Sequence, residues 1–250
     1  MSGLDKKRIQ KIIHYWLDHS PEPNETELSS IQNLIFDGSF LHGRRGIVTL
    51  MDAHQHRVFA IAYGVSERSC PQLETFFQQQ KAKGLNPRSC TLDGNPRAIK
   101  AIKNIWPSIL IQRCLVHIQR QGLMWCRMNP KRLDAKRLRD LFLQVTNLSS
   151  VQEKNSFLKH MQIWEEKYGV KFNLIKETGW VLSDLIRARS MLLKAIPYMF
   201  HFLVDPSIPK TTNGLEGYFS RLKHLYRQHR GLNPHHRQNY FLWFSHLRPR

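Results

Sequence analysis

The chain has 250 residues, of which 41% are apolar, so it can bury a full core as one large domain or as one domain that carries an insertion. Its net charge of +19 is uneven: residues 1–100 carry 13 Lys and Arg against 10 Asp and Glu, whereas residues 101–250 carry 25 against 9. Such an excess indicates a polyanionic partner, and nucleic acid is the first candidate because Lys and Arg neutralise its phosphates. A membrane partner is not expected, since no basic amphipathic segment stands apart from the globular pattern.

Cysteine usage and hydropathy indicate the compartment. The four cysteines form no CxxC pair and no disulfide spacing, which is typical of a reducing environment. The N-terminus lacks the apolar core of a signal peptide, and no run of about 18 apolar residues occurs. We therefore expect a soluble cytoplasmic protein, associated with the nucleoid if its partner is DNA.

The first predicted elements are one helix and three strands. Apolar residues at helical spacing predict an amphipathic helix over 6–19, and the polar segment 20–30 is typical of a linker. Strand patterns follow at 31–37, 46–52 and 57–65. The short connections between these strands favour antiparallel neighbours.

Helices and strands then alternate. The pattern predicts a helix over 70–83, a strand over 88–93, a helix over 96–105, a strand over 109–114 and a helix from about Leu115. Three antiparallel strands followed by two strands that are reached through helical crossovers predict an α/β fold with a mixed five-stranded sheet and flanking helices. This order is the one expected for an RNase H-like fold.

A helical block separates this sheet from the last part of the chain. Strand patterns disappear after about residue 130, and segments 138–145, 151–167 and 180–196 have helical spacing. The predicted organisation has four parts: an N-terminal helix and linker (1–30), the first part of the core (31–129), an all-helical insertion (130–205), and the last part of the core with a basic tail (206–250).

Two aspartates mark a candidate site on the predicted sheet. Asp37 and Asp93 each end a predicted strand and each precede a glycine. If the fourth strand lies parallel to the first, the two carboxylates meet at one sheet edge, where open α/β proteins place their sites. Such a pair repels unless a cation intervenes, and Mg²⁺ prefers oxygen ligands of this kind. A third acid would complete a two-metal site.

Glu216 is suited to be that third acid, because it is the only carboxylate in residues 206–250. On a helix it borders an apolar stripe of Leu215, Phe219, Leu222 and Tyr226. The alternative is a capping box, in which Asn213 caps the helix and Glu216 reaches back to the backbone of the cap. Both roles are compatible, since a helix N-terminus favours an acid in its first turn.

The motifs together resemble a known family. The order of FDG (36–38), LDG (92–94), CLVH (114–117), a helical insertion and TTNGLEGYFSRLKHLYRQHRGL (211–232) is similar to transposases of bacterial insertion sequences related to the Mutator-like group. The resemblance covers roughly residues 30 to 235. It implies an RNase H-like catalytic domain that cleaves DNA at the element end and joins the 3′-OH to target DNA. Its metal ligands for Mg²⁺, or Mn²⁺ as a substitute, would be the catalytic acids Asp37, Asp93 and Glu216.

The resemblance also suggests roles for residues around the triad. Cys114 and His117 match the family's Cys-x-x-His pattern, which implies that they shape the site or contact DNA; Asn213 is likewise expected to shape the site. The alternative is a buried cysteine that ends a strand and a histidine that packs locally. The bases Lys223, Arg227 and Arg230 are expected to contact DNA, and a solvated helix face is the alternative.

Other polar and aromatic residues have simpler interpretations. Asp52 lies in a predicted hairpin turn, where an aspartate usually bonds to the backbone, and it is a weaker candidate for the metal site. Trp164 and Trp180 could stack on a displaced base, but aromatic residues at helical spacing more often belong to a core.

The resemblance finally implies partners. Coupling two element ends implies a homodimer or larger assembly on DNA. Only about 30 residues precede the first predicted strand, so we expect either a separately encoded N-terminal DNA-binding segment or a truncated relic. Two other functions stay open: a DNA-binding descendant that no longer cuts, and an RNase H-like nuclease that cuts without joining.

Overall fold

A computed structural model describes the helices and strands of most of the chain. No helix within the described ranges is long and apolar enough to cross a membrane. The described residues are 5–22, 27–42, 45–169, 179–229 and 231–248. In chain order the elements are α1 (Lys6–Asp18), β1 (Asn33–His42), β2 (Arg45–Asp52), β3 (Arg57–Tyr63), α2 (Cys70–Ala82), β4 (Ser89–Leu92), α3 (Pro96–Ile105), β5 (Leu110–Arg113), α4 (Leu115–Cys126), α5 (Leu133–Gln144), α6 (Val151–Trp164), α7 (Trp180–Ala195), α8 (Asn213–Tyr226) and α9 (Pro234–Leu247).

The five strands form one mixed sheet in the order β3-β2-β1-β4-β5. β2 pairs antiparallel with both β1 and β3. β4 starts beside the start of β1, because the Arg88 and Ser89 amides donate to the Gln32 carbonyl. The end of β5 lies beside the end of β4, where the Cys114 amide donates to the Leu92 carbonyl. The predicted α/β class, the mixed five-stranded sheet and the flanking helices are therefore confirmed.

β1 extends further than the predicted strand over 31–37. β1 does not end at Asp37 but continues to His42, and Asp37 pairs with Thr49 in the middle of the β1–β2 ladder. The Asp-Gly pair is a common turn signal, which is why the sequence pattern ends the strand there. Backbone pairing with β2 outweighs this local preference, because β2 supplies partners for Gly38, Ser39 and Phe40.

The chain divides into two compact units, and the first contains residues 1–90, 95–109 and 213–250. Its main core lies between one face of β1–β3 and the helices α8 and α9. Phe36 faces the other side of β1, where its ring lies 5.2 Å from the ring of Phe77 on α2. The main core is formed by Ile35, Ile47, Met51, Ala53, Val58, Leu215, Tyr218, Phe219, Leu222, Tyr226, Phe241 and Phe244.

The second unit contains residues 91–94 and 110–212. Apart from the end of β4 and from β5, its described residues form helices and short connections, and α4–α7 share one core. Gly122 on α4 meets the Phe142 ring of α5 so closely that a Cβ there would overlap the ring. The four-part organisation given above stays a prediction, since these compact units divide the chain at other residues. The helical core includes Leu115, Ile118, Leu138, Phe142, Phe157, Trp164, Leu185 and Leu192.

Candidate functional site

Asp37 lies on the face of β1 that α8 covers. Side chains two residues apart on a strand share a face, so Asp37 faces the same side as Ile35, which packs in the core with α8. Asp37 is half-buried, and its Oδ1 accepts a hydrogen bond of 2.9 Å from the Gly38 amide. Thr49, the partner of Asp37 on β2, is fully buried on this face. β1 thus holds a carboxylate at the border of an apolar core.

Glu216 lies in the first turn of α8. The predicted apolar stripe is confirmed, because Leu215, Phe219, Leu222 and Tyr226 are all buried. Glu216 borders that stripe and is half-buried, with its Oε1 shielded from solvent. The start of α8 lies against β2, since a Cβ at Gly214 would be 3.1 Å from the sulfur of Met51. Within the first unit, Asp37 and Glu216 are therefore carried by two elements that pack on each other.

The start of α8 differs slightly from the prediction. α8 begins at Asn213, so Asn213 is the first helical residue and Thr212 takes the N-cap position. Asn213 is exposed. Because assignments of helix ends vary by a residue, the difference concerns which side chain caps the helix rather than where the helix lies.

Asp93 directly follows β4 and belongs to the second unit. It is half-buried, and its Oδ1 accepts a 2.6 Å hydrogen bond from the Gly94 amide, as the Asp37 carboxylate does from Gly38. Gly94 has a positive φ of 143°, which other residues rarely adopt. Both aspartates are thus oriented by the amide of the glycine that follows.

Each of these glycines also makes room for a charged side chain. A Cβ at Gly94 would overlap the guanidinium of Arg113, and a Cβ at Gly38 would overlap the carboxylate of Glu67. Burial lowers the pKa of Arg113, while the negative charge of Asp93 acts in the opposite direction. Sequence reasoning missed Arg113 and Glu67, because no local pattern links either residue to a glycine 19 or 29 positions away.

Cys114 and His117 meet Thr212 in the second unit. The fully buried Cys114 sulfur accepts hydrogen bonds from the Thr212 amide at 3.3 Å and the Thr212 hydroxyl at 3.5 Å. The hydroxyl also lies 3.4 Å from Nδ1 of His117. Burial by itself raises the pKa of the Cys114 thiol, but hydrogen bonds with His117 and Thr212 lower it, and the resulting pKa lies below its ordinary value. The buried, strand-ending position of Cys114 agrees with the structural alternative, and a role in shaping the site stays a prediction.

Thr212 ends a segment that is tightly held within the second unit. The Thr91 hydroxyl donates to the Pro209 carbonyl at 2.7 Å, and the Leu115 amide donates to the Lys210 carbonyl at 3.0 Å. Thr91 lies on β4, two residues before Asp93, and Leu115 begins α4. Residues 209–212 are therefore fixed, within this unit, to the strand that leads to Asp93. No local pattern predicts these contacts, because Thr91 and Pro209 are 118 positions apart in the chain.

The bases predicted to contact DNA have different environments. Lys223 is half-buried on α8, and Arg227 is exposed in the short 3-10 turn at 227–229. α8 ends at Tyr226, so Arg227 lies just beyond the helix and not on a helix face. Arg230 lies outside the described residues. Contact with DNA stays a prediction for all three.

Two alternatives from the sequence are settled by local contacts. Asp52 has the expected turn role, since its Oδ1 accepts a 2.8 Å hydrogen bond from the His54 amide. Trp164 belongs to the core, where its indole N–H donates to the Asp134 carbonyl at 2.9 Å. Trp180 is 87% exposed and so remains accessible.

In the described part of the chain, no three His, Cys, Asp or Glu side chains come together in a way that could hold a metal ion.

Comparison of the sequence with protein families and curated proteins does not assign it to a family. No protein-family model matches the sequence, and no curated protein matches it.

Proposed function

We propose that this protein is the catalytic domain of an RNase H-like DNA transposase that depends on a divalent metal, cleaves the DNA strand at an element end and joins the 3′-OH to target DNA. One observation carries the proposal. Asp37 lies on the face of β1 that is covered by α8, the helix that bears Glu216. Asp93 follows β4, which is the neighbour of β1 in the sheet order.

The proposed acids suit Mg²⁺ by their chemistry. Asp37, Asp93 and Glu216 offer only carboxylate oxygens, the ligands that Mg²⁺ and Mn²⁺ prefer. The two aspartates are oriented alike, each by the amide of the next residue. A bound metal would activate the attacking water or 3′-OH and stabilise the leaving oxygen. The chain's own residues would hold the acids in place and bind the DNA backbone.

The positive charge supports DNA as the partner. Residues 101–250 carry 25 Lys and Arg, and phosphate contacts by such residues position DNA without reading its sequence. We propose Lys223, Arg227 and Arg230 among these contacts. An assembly of two or more copies on DNA belongs to the same proposal, because strand transfer couples two element ends.

A nicking assay tests the cleavage step. Supercoiled plasmid is incubated with Mg²⁺ and either wild type or the variants Asp37→Asn, Asp93→Asn and Glu216→Gln. We expect nicks with 3′-OH ends from wild type and loss of nicking in all three variants. Asp52→Asn is the matched control, because it removes a carboxylate of the first unit but keeps the oxygen that accepts from His54. Equal nicking by wild type and Glu216→Gln would remove Glu216 from the mechanism.

A joining assay separates the transposase from a nuclease of the same fold. A labelled duplex with a free 3′-OH is mixed with unlabelled plasmid, protein and Mg²⁺. Strand transfer moves the label onto the plasmid, whereas a nuclease only shortens or nicks the DNA. Nicking without any labelled plasmid would favour the nuclease.

A second candidate function is DNA binding without cleavage. It is favoured by the net charge of +19, which suits sequence-independent binding to phosphates. It predicts sequence-independent binding whose affinity falls steeply between about 50 and 200 mM salt. Plasmid that stays intact with Mg²⁺ and with Mn²⁺ would support this candidate, and clean 3′-OH nicks would reject it.

A further inference from the structure

The guanidinium of Arg113 occupies an unusual position at the end of β5. It occupies the space that a Cβ at position 94 would fill, next to the carboxylate of Asp93. Its Nε is shielded from solvent and has no hydrogen-bond acceptor among the described residues. The side chain as a whole is only half-buried, so part of it is open to solvent.

Such a cation is costly to keep in a folded protein unless an anion compensates it. Removing a charged group from water without hydrogen bonds is unfavourable, and leaving a buried donor unused adds to that penalty. The nearby charge of Asp93 offsets part of this penalty. The Arg113 Nε donor nevertheless has no acceptor in the part of the chain that the structure describes, which indicates that the guanidinium binds a second anion beside Asp93.

The chemistry of arginine narrows the choice of that anion. A guanidinium is always charged, and its planar donors match the oxygens of a phosphate in a bidentate geometry. Gly94 contributes to this arrangement, because any side chain at that position would displace the guanidinium from Asp93.

We propose that Arg113 is a substrate-binding residue that holds a non-bridging oxygen of the DNA phosphodiester beside Asp93. The proposal rests on the proposed function in that it takes DNA as the substrate. Asp93 and Arg113 would then act as a pair: the carboxylate supports the reaction, and the guanidinium fixes the phosphate on which it occurs. The competing role is an ion pair that only stabilises the fold around Asp93.

The test measures DNA binding in EDTA, so that no cleavage is involved. Affinity for a short duplex is recorded as a function of salt for wild type and Arg113→Gln. Each phosphate contact adds about 0.9 to the slope of log affinity against log salt. We expect Arg113→Gln to lower the slope by about that amount and the affinity by about tenfold. Arg187→Gln is the control, because Arg187 is an exposed arginine of the same unit that pairs with Asp184; its slope should match wild type.

A second variant keeps the proposal testable if Arg113→Gln does not fold. Arg113→Lys retains the charge beside Asp93 but lacks the planar donors. We expect it to keep the thermal stability of wild type and to bind the duplex several-fold more weakly. Wild-type affinity in Arg113→Lys, or a wild-type slope in folded Arg113→Gln, would overturn the proposal.

These results are separable from the fate of the proposed function. If wild type nicks DNA and Arg113→Gln keeps the wild-type slope, only the role of Arg113 is refuted. If wild type never nicks DNA but Arg113→Gln loses slope, the phosphate contact stands and the transposase activity is refuted.

Discussion

Replacing Gly94 by alanine should destabilise the protein more than replacing any other glycine of positive φ in the described residues. Two separate effects act at this position. The backbone has a φ of 143°, and the new Cβ would overlap the Arg113 guanidinium. Gly84 shows only the first effect, because its φ is 95° and nothing lies within 4 Å of a new Cβ. Gly38 shows only the second, since its Cβ would meet the flexible end of Glu67.

The three positions therefore allow the magnitudes to be separated. Backbone strain at a left-handed position costs about 1–2 kcal/mol, and the lower chain entropy of unfolded alanine returns about 0.4–1 kcal/mol. Gly84→Ala should thus lose about 1 kcal/mol. At Gly94 the new Cβ would also push the Arg113 guanidinium away from Asp93. Overpacking costs about 1–3 kcal/mol, and the lower end applies because the guanidinium ends a flexible side chain, so Gly94→Ala should lose about 2 kcal/mol. Gly38→Ala should lose less than about 1 kcal/mol, because the Glu67 side chain can move aside.

Urea unfolding followed by tryptophan fluorescence measures these differences. A double-mutant cycle with Arg113→Ala then assigns the second effect. If the guanidinium causes the extra loss, Gly94→Ala should cost at least about 1 kcal/mol less in the Arg113→Ala background than in wild type. Equal losses in Gly94→Ala and Gly84→Ala, or the same cost of Gly94→Ala in both backgrounds, would refute the reasoning.

Two further predictions concern packing and titration. Gly122→Ala should lower stability by about 1 kcal/mol, because overlap with the Phe142 ring outweighs the helix propensity of alanine. Gly217→Ala should raise stability by about 0.5–1 kcal/mol, because its Cβ would meet only a side-chain nitrogen 3.7 Å away. Thermal unfolding of both variants measures these changes, and changes of the same sign would contradict the prediction. The pKa of the Cys114 thiol is lowered in the folded protein, so the unfolded chain binds more protons near that pKa. Wild type should therefore gain stability relative to Cys114→Ala as pH rises from about 7 to 9. That gain should be lost as pH falls through the lowered pKa. Urea unfolding at both pH values measures this difference, and a constant difference would contradict it.

Local patterns were sufficient for most of the fold. β2 and β3 follow their predicted strand patterns closely, and α2 and α3 begin at Cys70 and Pro96 as predicted. These elements could be found because their side-chain periodicity arises within the element itself. The apolar stripe of α8 was predictable for the same reason, and it located Glu216 at the border of the core.

Contacts between distant residues account for what the sequence did not reveal. Asp37 lies within a strand rather than at its end, because pairing with β2 outweighs the Asp-Gly signal. The guanidinium of Arg113 lies at Gly94 because β4 and β5 are neighbours. The Thr212 amide donates to Cys114 because its segment packs at the start of α4. No spacing rule links such residues, so the acids of the proposed site could be named from the sequence, whereas Arg113 and Thr212 could not.

We propose that Asp37, Asp93 and Glu216 bind one divalent-metal site, and metal-directed cleavage of the protein itself tests this proposal most directly. Fe²⁺ replaces Mg²⁺, and peroxide with ascorbate then cuts the backbone next to the bound iron. We predict fragments that end near all three acids, that are suppressed by excess Mg²⁺, and that are lost together in Glu216→Gln. Fragments that cluster elsewhere, or a pattern that is the same in wild type and Glu216→Gln, would contradict the claim.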